Sequence, residues 1–339
     1  MTASPSRKIE LVCPAGALPS LKAAVDNGAD CVYFGFKDAT NARNFTGLNF
    51  DLAQIREGIA YARQHGRKVL LALNTFPLDS NQTDWIATVD RAAELGVNAV
   101  IMADPGLMAY AARTYPDLRL HLSVQGSATS YEAINFYHER FGIQRAVLPR
   151  VLSLAQIEQL AANTPVEIEV FGFGGLCVMV EGRCALSAYA TGQSPNCSGA
   201  CSPDAFVRWE QTPHGMETRV NGILVNRYGE GEHASYPTLC KGRYTVKDET
   251  YYAIEEPASL NTLEMLPALA HAGISAIKIE GRQRNPAYVA QVTKVWRAAL
   301  DALARDAERF TAQETWMAEL NKVSEGQSHT LGAYYRPWK

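Results

Sequence analysis

Five of the seven cysteines of this chain fall in one stretch that is punctuated by glycine and proline, and thiolates in such numbers could bind a metal. They are Cys177, Cys184, Cys197, Cys201 and Cys240. Zinc ribbons need pairs with two to four residues between them, and only Cys197 and Cys201 come close to that spacing. The short runs of bacterial ferredoxins are also absent. The spacing alone therefore indicates a thiolate-only metal site and leaves structural zinc and an iron–sulfur cluster open.

Eight β-branched and aliphatic runs alternate with amphipathic helical patterns. The elements that these runs predict would form the scaffold that positions the cysteines. The runs are residues 9–15, 31–36, 68–74, 98–104, 118–125, 145–150, 166–173 and 276–281. Strands separated by helices of this length pair in parallel through right-handed crossovers. The pattern predicts an α/β fold, a (β/α)8 TIM-type barrel. Two helix starts have capping-box spacing, from Thr129 to Glu132 and from Ser153 to Gln156.

Several predicted strands have one apolar and one polar face. Lys278 and Glu280 share a face of strand eight, and Glu167 and Glu169 share a face of strand seven. An open sheet covered by helices would be apolar on both faces. The alternation predicts a polar barrel interior in which Lys278 is paired with carboxylates, because unpaired buried charges are very costly. The alternative is that some of these groups lie at strand ends in solvent.

A long interval separates strand seven from the last part of the barrel, and it contains the five cysteines. We expect residues 1–173 to form strands one to seven, residues 174–258 to form an insert, and residues 259–339 to complete the barrel with strand eight and a C-terminal helix and tail. The insert follows the C-terminal end of a strand, which is the catalytic face of TIM barrels. Long insertions at such places are usually functional.

Composition narrows the classes of partner. The formal net charge is −3 and no run of Lys or Arg occurs, so nothing in the charge favours a nucleic-acid partner. The N-terminus has no apolar signal region, and no apolar run approaches the length of a membrane span. We therefore expect a cytoplasmic protein, in which structural disulfides are unfavoured. Cys13 and Cys31 lie in the first two predicted strands and are expected to pack in the core.

The stretch EVFGFGGLCVMVEGRCALS, residues 169–187, resembles the signature of the collagenase-like peptidase family. The matching positions are Glu169, Phe171, Gly174, Cys177, Gly182, Cys184 and Ser187. The similarity continues through residues 13–45 and 277–289, and Gly175 stands where the family usually has Ser or Ala. The resemblance implies a 4Fe–4S cluster ligated by Cys177, Cys184, Cys201 and Cys240, with Cys197 left over.

Within that family, the stretches GACSP, YPTLCKGRY and EEPASLNTLEML are similar to iron–sulfur subunits of oxygen-independent ubiquinone biosynthesis. This implies hydroxylation of the ring of a polyprenylated aromatic precursor without O2, together with a smaller cluster-bearing partner. It also implies prephenate as the oxygen donor. A cluster supplies one-electron steps that side chains cannot.

Other functions stay open at this stage. Larger members of the family hydroxylate tRNA or rRNA, and a non-catalytic scaffold role is another alternative. Proteolysis is unfavoured, because neither a G-x-S-x-G nor an H-E-x-x-H motif occurs. His121 on strand five could serve as a base, although an interior histidine with its hydrogen bonds satisfied is the simpler interpretation.

Prephenate carries two carboxylates, which arginine forks bind better than lysine does. The candidate catalytic or binding residues that follow predicted strands are Arg43, Arg150, Arg282, Asn41, Gln125 and Glu280. Such positions could face the barrel mouth. The alternative for each arginine is a surface or helix-capping salt bridge, and Glu280 could simply be the partner of Lys278.

Overall fold

The computed structural model describes residues 8–177, 179 and 183–335, so Gly182 of the family signature lies outside the described residues. The strands are β1 (Glu10–Pro14), β2 (Cys31–Phe34), β3 (Lys68–Leu73), β4 (Ala99–Met102), β5 (Leu120–Leu122), β6 (Arg145–Val147), β7 (Glu167–Gly175), β8 (Val207–Thr212), β9 (Gly215–Val220), β10 (Ile223–Tyr228), β11 (Arg243–Val246), β12 (Glu249–Tyr252), β13 (Ser259–Asn261), β14 (Ala276–Ile279) and β15 (His329–Thr330). The helices are α1 (Leu18–Asp26), α2 (Leu52–Gln64), α3 (Gln82–Leu95), α4 (Pro105–Thr114), α5 (Tyr131–Phe141), α6 (Leu154–Ala162), α7 (Ala185–Thr191), α8 (Pro195–Ser198), α9 (Leu266–His271), α10 (Pro286–Arg305) and α11 (Glu314–Asn321).

Strands β1 to β7 and β14 close into a barrel of eight parallel strands. β14 pairs with β1 on one side and with β7 on the other, which completes the ring. Seven of the predicted runs contain one of these strands and the run 166–173 overlaps β7, which extends two residues further, so the predicted (β/α)8 fold is confirmed. No helix among the described residues is long and apolar enough to cross a membrane.

The outer face of the barrel packs against the helices that surround it. Trp296 of α10 is fully buried there, and it approaches β7 where Gly172 has no side chain. A Cβ at Gly172 would lie 2.7 Å from the Trp296 ring, so the small residue allows the close contact. Cys13 also lies in this core, where its Sγ accepts a hydrogen bond of 3.2 Å from the Thr293 hydroxyl, and burial raises its pKa to about 12. Cys31 is buried inside the barrel, so core packing of both cysteines is confirmed.

The two predicted helix starts differ in outcome. Ser153 caps α6 and forms the reciprocal capping box with Gln156, as predicted. The Thr129 prediction is wrong by one residue, because Ser130 is the cap of α5 and its side chain accepts from the Ala133 N–H at 3.2 Å. Serine and threonine are both able to cap a helix, and the path of the chain selects between these neighbours.

Ion pairs fill the lower part of the barrel interior. Lys278 Nζ lies 2.7 Å from Glu169 Oε1, and Arg145 Nη1 lies 3.3 Å from Glu169 Oε2. Arg145 Nη2 also binds Glu10 Oε2 at 2.6 Å, and Glu10 Oε1 binds Lys68 Nζ at 2.6 Å. Burial opposes ionisation of Glu10, but Lys68 and Arg145 outweigh it and lower the Glu10 pKa to about 2. The predicted interior pairing of Lys278 is confirmed. Its partner is Glu169 rather than Glu280.

The chain between β7 and β14 carries several small elements. It contains the short helices α7 and α8, a three-stranded antiparallel sheet of β8 to β10, and the hairpin of β11 and β12. β13 then pairs antiparallel with the end of β7, and β15 pairs with β13. Because β13 joins the end of β7, the chain that bears the cysteines returns to the barrel at its C-terminal edge.

Candidate active site at the barrel mouth

A cavity opens where the barrel strands end. Its empty volume is about 600 Å³, counting the part open to solvent. The polar residues that argue for a binding role in its lining are Arg43, Arg150, Arg282, Gln125, Glu280 and Cys177. The structure therefore brings together five of the six residues predicted from strand ends, with one of the cysteines. Asn41, the sixth, is not part of the lining, but it accepts a hydrogen bond from Arg282, which is.

Glu280 lies between arginines on the cavity wall. Its Oε1 is 3.2 Å from Arg43 Nε, and its Oε2 is 3.9 Å from Arg150 Nη1. Burial opposes ionisation of Glu280, but Arg43, Arg150 and Arg282 together lower its pKa below the ordinary value. Among the described residues of the lining, guanidiniums outnumber carboxylates, so this wall favours an anionic ligand.

Arg282 is the most deeply buried of the three arginines, at 4% exposed. Its Nη1 donates to Asn41 Oδ1 at 2.8 Å, and its guanidinium lies 5.8 Å from the centre of the Tyr33 ring. Burial lowers its pKa to about 10, so the group still carries its charge at neutral pH. This arrangement is not a surface salt bridge, and a buried cation beside a cavity favours an anionic ligand.

Arg150 and Lys278, which also line the cavity, lie against aromatic rings. The Arg150 guanidinium lies 4.2 Å from the centre of the Phe171 ring, and its Nη1 donates to the Gly175 carbonyl at 2.8 Å. Lys278 Nζ lies 3.9 Å from the centre of the Tyr33 ring. Contacts of this kind orient a cation and stabilise it where water is partly excluded.

Hydrogen bonds that the sequence did not predict connect the residues after β3 and β5. Asn74 Nδ2 donates to Ser123 Oγ at 3.2 Å, and the Gln125 N–H donates to the same oxygen at 3.2 Å. Asn74 and Ser123 both line the cavity. Asn74 ends the predicted run 68–74, whereas Ser123 lies within the run 118–125 and directly follows β5.

His121 does not line the cavity, so the structure gives it no role as a base there. Its Nε2 accepts from Arg119 Nε at 2.9 Å, whereas its Nδ1 is buried without a partner among the described residues. Burial, with the neighbouring cations Arg145 and Arg119, keeps its pKa well below the ordinary value. The expectation of fully satisfied hydrogen bonds is therefore wrong for one ring nitrogen.

The chain after β7 brings at least one cysteine to the same mouth. Cys177 lines the cavity, and Cys184 caps α7 with its Sγ accepting from the Ser187 N–H at 3.4 Å. Burial raises the pKa of Cys201, and the Cys184 thiol adds to the increase while Arg43 opposes it. Burial likewise raises the Cys240 pKa to about 12, with Glu255, Cys177 and Cys201 contributing. Cys201 thus lies within electrostatic range of Cys184 and Cys240, and Cys240 lies within range of Cys177.

The thiols do not form a closed site in the part of the chain that is described. Among those residues, no three His, Cys, Asp or Glu side chains are gathered closely enough to hold a metal ion. The donor set is nevertheless all thiol, with Arg43 and Lys241 near Cys201 to offset thiolate charge. This chemistry fits a 4Fe–4S cluster. The ligand set stays a prediction.

Backbone contacts hold the loop before Cys201 against the loop that carries Arg43. The N–H groups of Arg43 and Asn44 both donate to the Gly199 carbonyl, at 2.7 and 3.2 Å. Gly199 has a φ of +82°, and a Cβ there would lie 2.4 Å from the Asn41 carbonyl oxygen. Only glycine fits this approach. Arg43 is therefore positioned by the same contact that positions the cysteine loop.

Two glycines at the end of β7 also shape the wall. Gly174 has a φ of +121°, and its Cβ would lie 2.6 Å from the Cβ of Glu280. A Cβ at Gly175, where the resembling family has Ser or Ala, would lie 3.0 Å from Glu325 Oε1. Glu325 pairs with Lys241, next to Cys240, and with Arg284 at 3.0 Å. The C-terminal segment thus contacts the cysteine-bearing chain at this point.

Comparison with known proteins gives relatives along nearly the whole chain. The chain is 31% identical over 328 residues to tRNA hydroxylation protein P1 of Bacillus subtilis (strain 168), covering 96% of this chain and 71% of the relative. It is 32% identical to tRNA hydroxylation protein P of Escherichia coli (strain K12), covering 95% and 73%. Among solved structures, the U32 peptidase Mk0906 has a TM-score of 0.51 at 12% identity, covering 83% of this chain and 96% of that one, which supports the fold alone.

The family match agrees with the signature around the first two insert cysteines. The model described as Peptidase family U32 matches residues 16–337, which includes the barrel strands β2 to β7 and β14, the arginine-lined mouth and all five cysteines that follow β7. A match of this extent, together with relatives above 30% identity, settles the family. This chain is a member of peptidase family U32.

Proposed function

We propose that this chain is the UbiU-type subunit of a cytoplasmic, O2-independent hydroxylase of ubiquinone biosynthesis. In this proposal the enzyme hydroxylates the ring of a polyprenylated precursor, and prephenate supplies the oxygen. The relatives named for tRNA hydroxylation support a hydroxylase role for this family. The similarity of the stretches around Cys201, Cys240 and Glu255 to UbiU carries the choice of ubiquinone.

The observation that carries the proposal most is the make-up of the cavity. Among the described residues of its lining are three arginines and the carboxylate of Glu280, and Cys177 belongs to the same lining. A dicarboxylate held by arginine forks gains charge-assisted hydrogen bonds, each worth roughly 1.5–3 kcal/mol. The donor would thereby lie next to the thiol that is the first of the proposed cluster ligands.

Cys177, Cys184, Cys201 and Cys240 would hold the 4Fe–4S cluster. The cluster would supply one-electron steps to the hydroxylation. Four cysteine ligands leave no iron position open, so substrate binding falls to the protein. Arg43, Arg150 and Arg282 bind and orient the donor carboxylates, and Glu280 keeps Arg43 and Arg150 in place between turnovers.

A peptidase function has little support despite the family description. Proteolysis by serine or cysteine requires a histidine base near the nucleophile. Ser123 and Cys177 line the cavity, but no histidine does within the part of the chain that is described.

The proposed partner is a UbiV-like protein, smaller than this chain and also carrying a cluster. The support is the resemblance to UbiU, with the cysteine-bearing chain placed at the open end of the barrel. Co-expression should give a stable heterodimer in size-exclusion chromatography. Elution of this chain as a monomer or homo-oligomer in the presence of the partner would contradict the pairing.

The decisive test of the function is a deletion strain grown without O2. The strain should lose ubiquinone while the hydroxylation of its tRNA and rRNA is unchanged. The wild-type gene should restore ubiquinone, whereas Arg43→Ala and Arg282→Ala should not, although both variants should keep their iron. Normal ubiquinone in the deletion strain would remove the proposal. Loss of iron from either variant would make that arginine structural instead.

An RNA hydroxylase is the second candidate, and the names of the relatives are what favour it. The net charge of −3 weighs against it, because phosphate contacts dominate RNA affinity. The same deletion strain separates the two functions, since loss of RNA hydroxylation with normal ubiquinone would select the second.

A further inference from the structure

We propose that Gln125 is the specificity-determining residue of the cavity, and that its amide oxygen accepts a hydrogen bond from a hydroxyl group of the ligand. The cavity would then select carboxylates that also carry a hydroxyl. This inference rests on the proposed function, because it concerns the same site and names the chemical class of the ligand that binds there.

Gln125 is almost completely buried, at 4% exposed, and it lines the cavity. Its Oε1 is buried and has no hydrogen-bond partner among the described residues. Native proteins rarely leave a buried acceptor unpaired, because the desolvation of that group is then uncompensated. An unpaired acceptor in a cavity wall is satisfied when a ligand supplies the donor.

The backbone from which this side chain extends is fixed. Gln125 lies in a short 3-10 turn, Val124–Gly126, and its N–H donates to Ser123 Oγ, which also accepts from Asn74. The turn is closely packed, since a Cβ at Gly126 would lie 2.7 Å from Leu122 Cδ1. The backbone of Gln125 therefore has a defined position in the cavity wall, which limits where its side chain can lie.

The other polar groups of the lining leave this role to Gln125. Arginine and lysine side chains are donors only, and they match the carboxylates of a ligand. Asn74 and Ser123 are hydrogen-bonded to each other, and Glu280 accepts from Arg43. Among the described residues that line the cavity, the amide oxygen of Gln125 is the buried side-chain acceptor that has no hydrogen-bond partner.

The charge of the cavity decides which donor it accepts. An ammonium group could also donate to Gln125, but it would bring a positive charge into a site that already has an excess of cations. Like charges at close range are unfavourable where water is partly excluded. A hydroxyl donates without adding charge, so a hydroxylated carboxylate is the ligand that fits both features.

The test uses two compounds that differ only by one hydroxyl, 4-hydroxyphenylpyruvate and phenylpyruvate. Their binding to the anaerobically purified protein is measured by titration calorimetry. The wild-type protein should bind the hydroxylated compound about tenfold more tightly, which is the effect of one hydrogen bond to a buried acceptor. Gln125→Met keeps the length of the side chain and removes the acceptor. It should bind both compounds equally, near the wild-type affinity for phenylpyruvate.

Equal binding of the two compounds to the wild-type protein, or no binding of either, would overturn the inference. A preference that persists in Gln125→Met would overturn it too, since the hydroxyl would then contact another group. Gln64→Met, at the exposed end of α2, is the matched control and should keep the wild-type preference. The readout involves no quinone, so a failed ubiquinone test with an intact hydroxyl preference would reject the function and retain this site.

Discussion

Replacing any one of Cys177, Cys184, Cys201 and Cys240 with alanine is expected to abolish the broad visible absorption of the anaerobically purified protein. Removing one of four thiolates leaves one iron of a 4Fe–4S cluster without its protein ligand. Iron should fall from about four atoms per chain to near zero in each variant. The measurement is the absorption spectrum together with iron and acid-labile sulfide analysis.

Cys197→Ala is the matched control, and it should keep the cluster. Cys197 lies in the short helix α8, only four positions before Cys201, so the two thiols share a region of the chain but not the proposed role. If Cys197→Ala loses the cluster while Cys201→Ala has a normal spectrum, Cys197 is the ligand and Cys201 is not. A normal spectrum in any other of the four variants would remove that residue from the ligand set.

Replacing Glu169 with glutamine should destabilise the barrel by about 3–5 kcal/mol, the usual cost of removing one partner from a buried ion pair. Glu169 is fully buried, and its two oxygens bind Lys278 and Arg145. The glutamine retains the shape but leaves these two buried cations short of one negative charge. Urea unfolding followed by tryptophan fluorescence measures the loss, since Trp296 is buried against β7.

Glu57→Gln provides the comparison, because it also breaks a carboxylate–lysine pair. Glu57 Oε1 lies 2.8 Å from Lys22 Nζ, but both side chains are largely exposed, so the change should cost about 0–1 kcal/mol. Adding Lys278→Met to Glu169→Gln should recover part of the loss by removing an unpaired cation. If Glu169→Gln costs no more than Glu57→Gln, the interior charges are not held by Glu169.

The barrel could be predicted because its signal is local and repeated. Eight apolar runs at regular intervals, each followed by a helical pattern, leave few alternatives to parallel pairing. The partner of Lys278 could not be predicted in the same way. The register that places Lys278 beside Phe171, within reach of Glu169, depends on how far the strands are staggered around the closed barrel. Alternation along one strand contains no information about that stagger.

The site was predictable to a similar extent. Positions just after strands identified Arg43, Arg150 and Arg282 as residues of the mouth, because those strand ends must meet. Asn74 and Ser123 were missed, since an amide and a hydroxyl at a strand end have no distinctive spacing. The grouping of Cys240 with Cys177 came from resemblance and not from the interval between them, which spans a small sheet whose folding no spacing rule describes.

The pairing of β1 with β14 has a consequence for the order of events during synthesis. These strands meet through Glu10 and Ala276, so the ring stays open until nearly the last strand has been translated. All the cysteines that follow β7 leave the ribosome before Glu280 and Arg282, which line the pocket after β14. The nascent chain therefore exposes its thiols before the pocket beside them exists. Contacts this distant in sequence also close slowly, which lengthens the interval in which those thiols lack the pocket beside them.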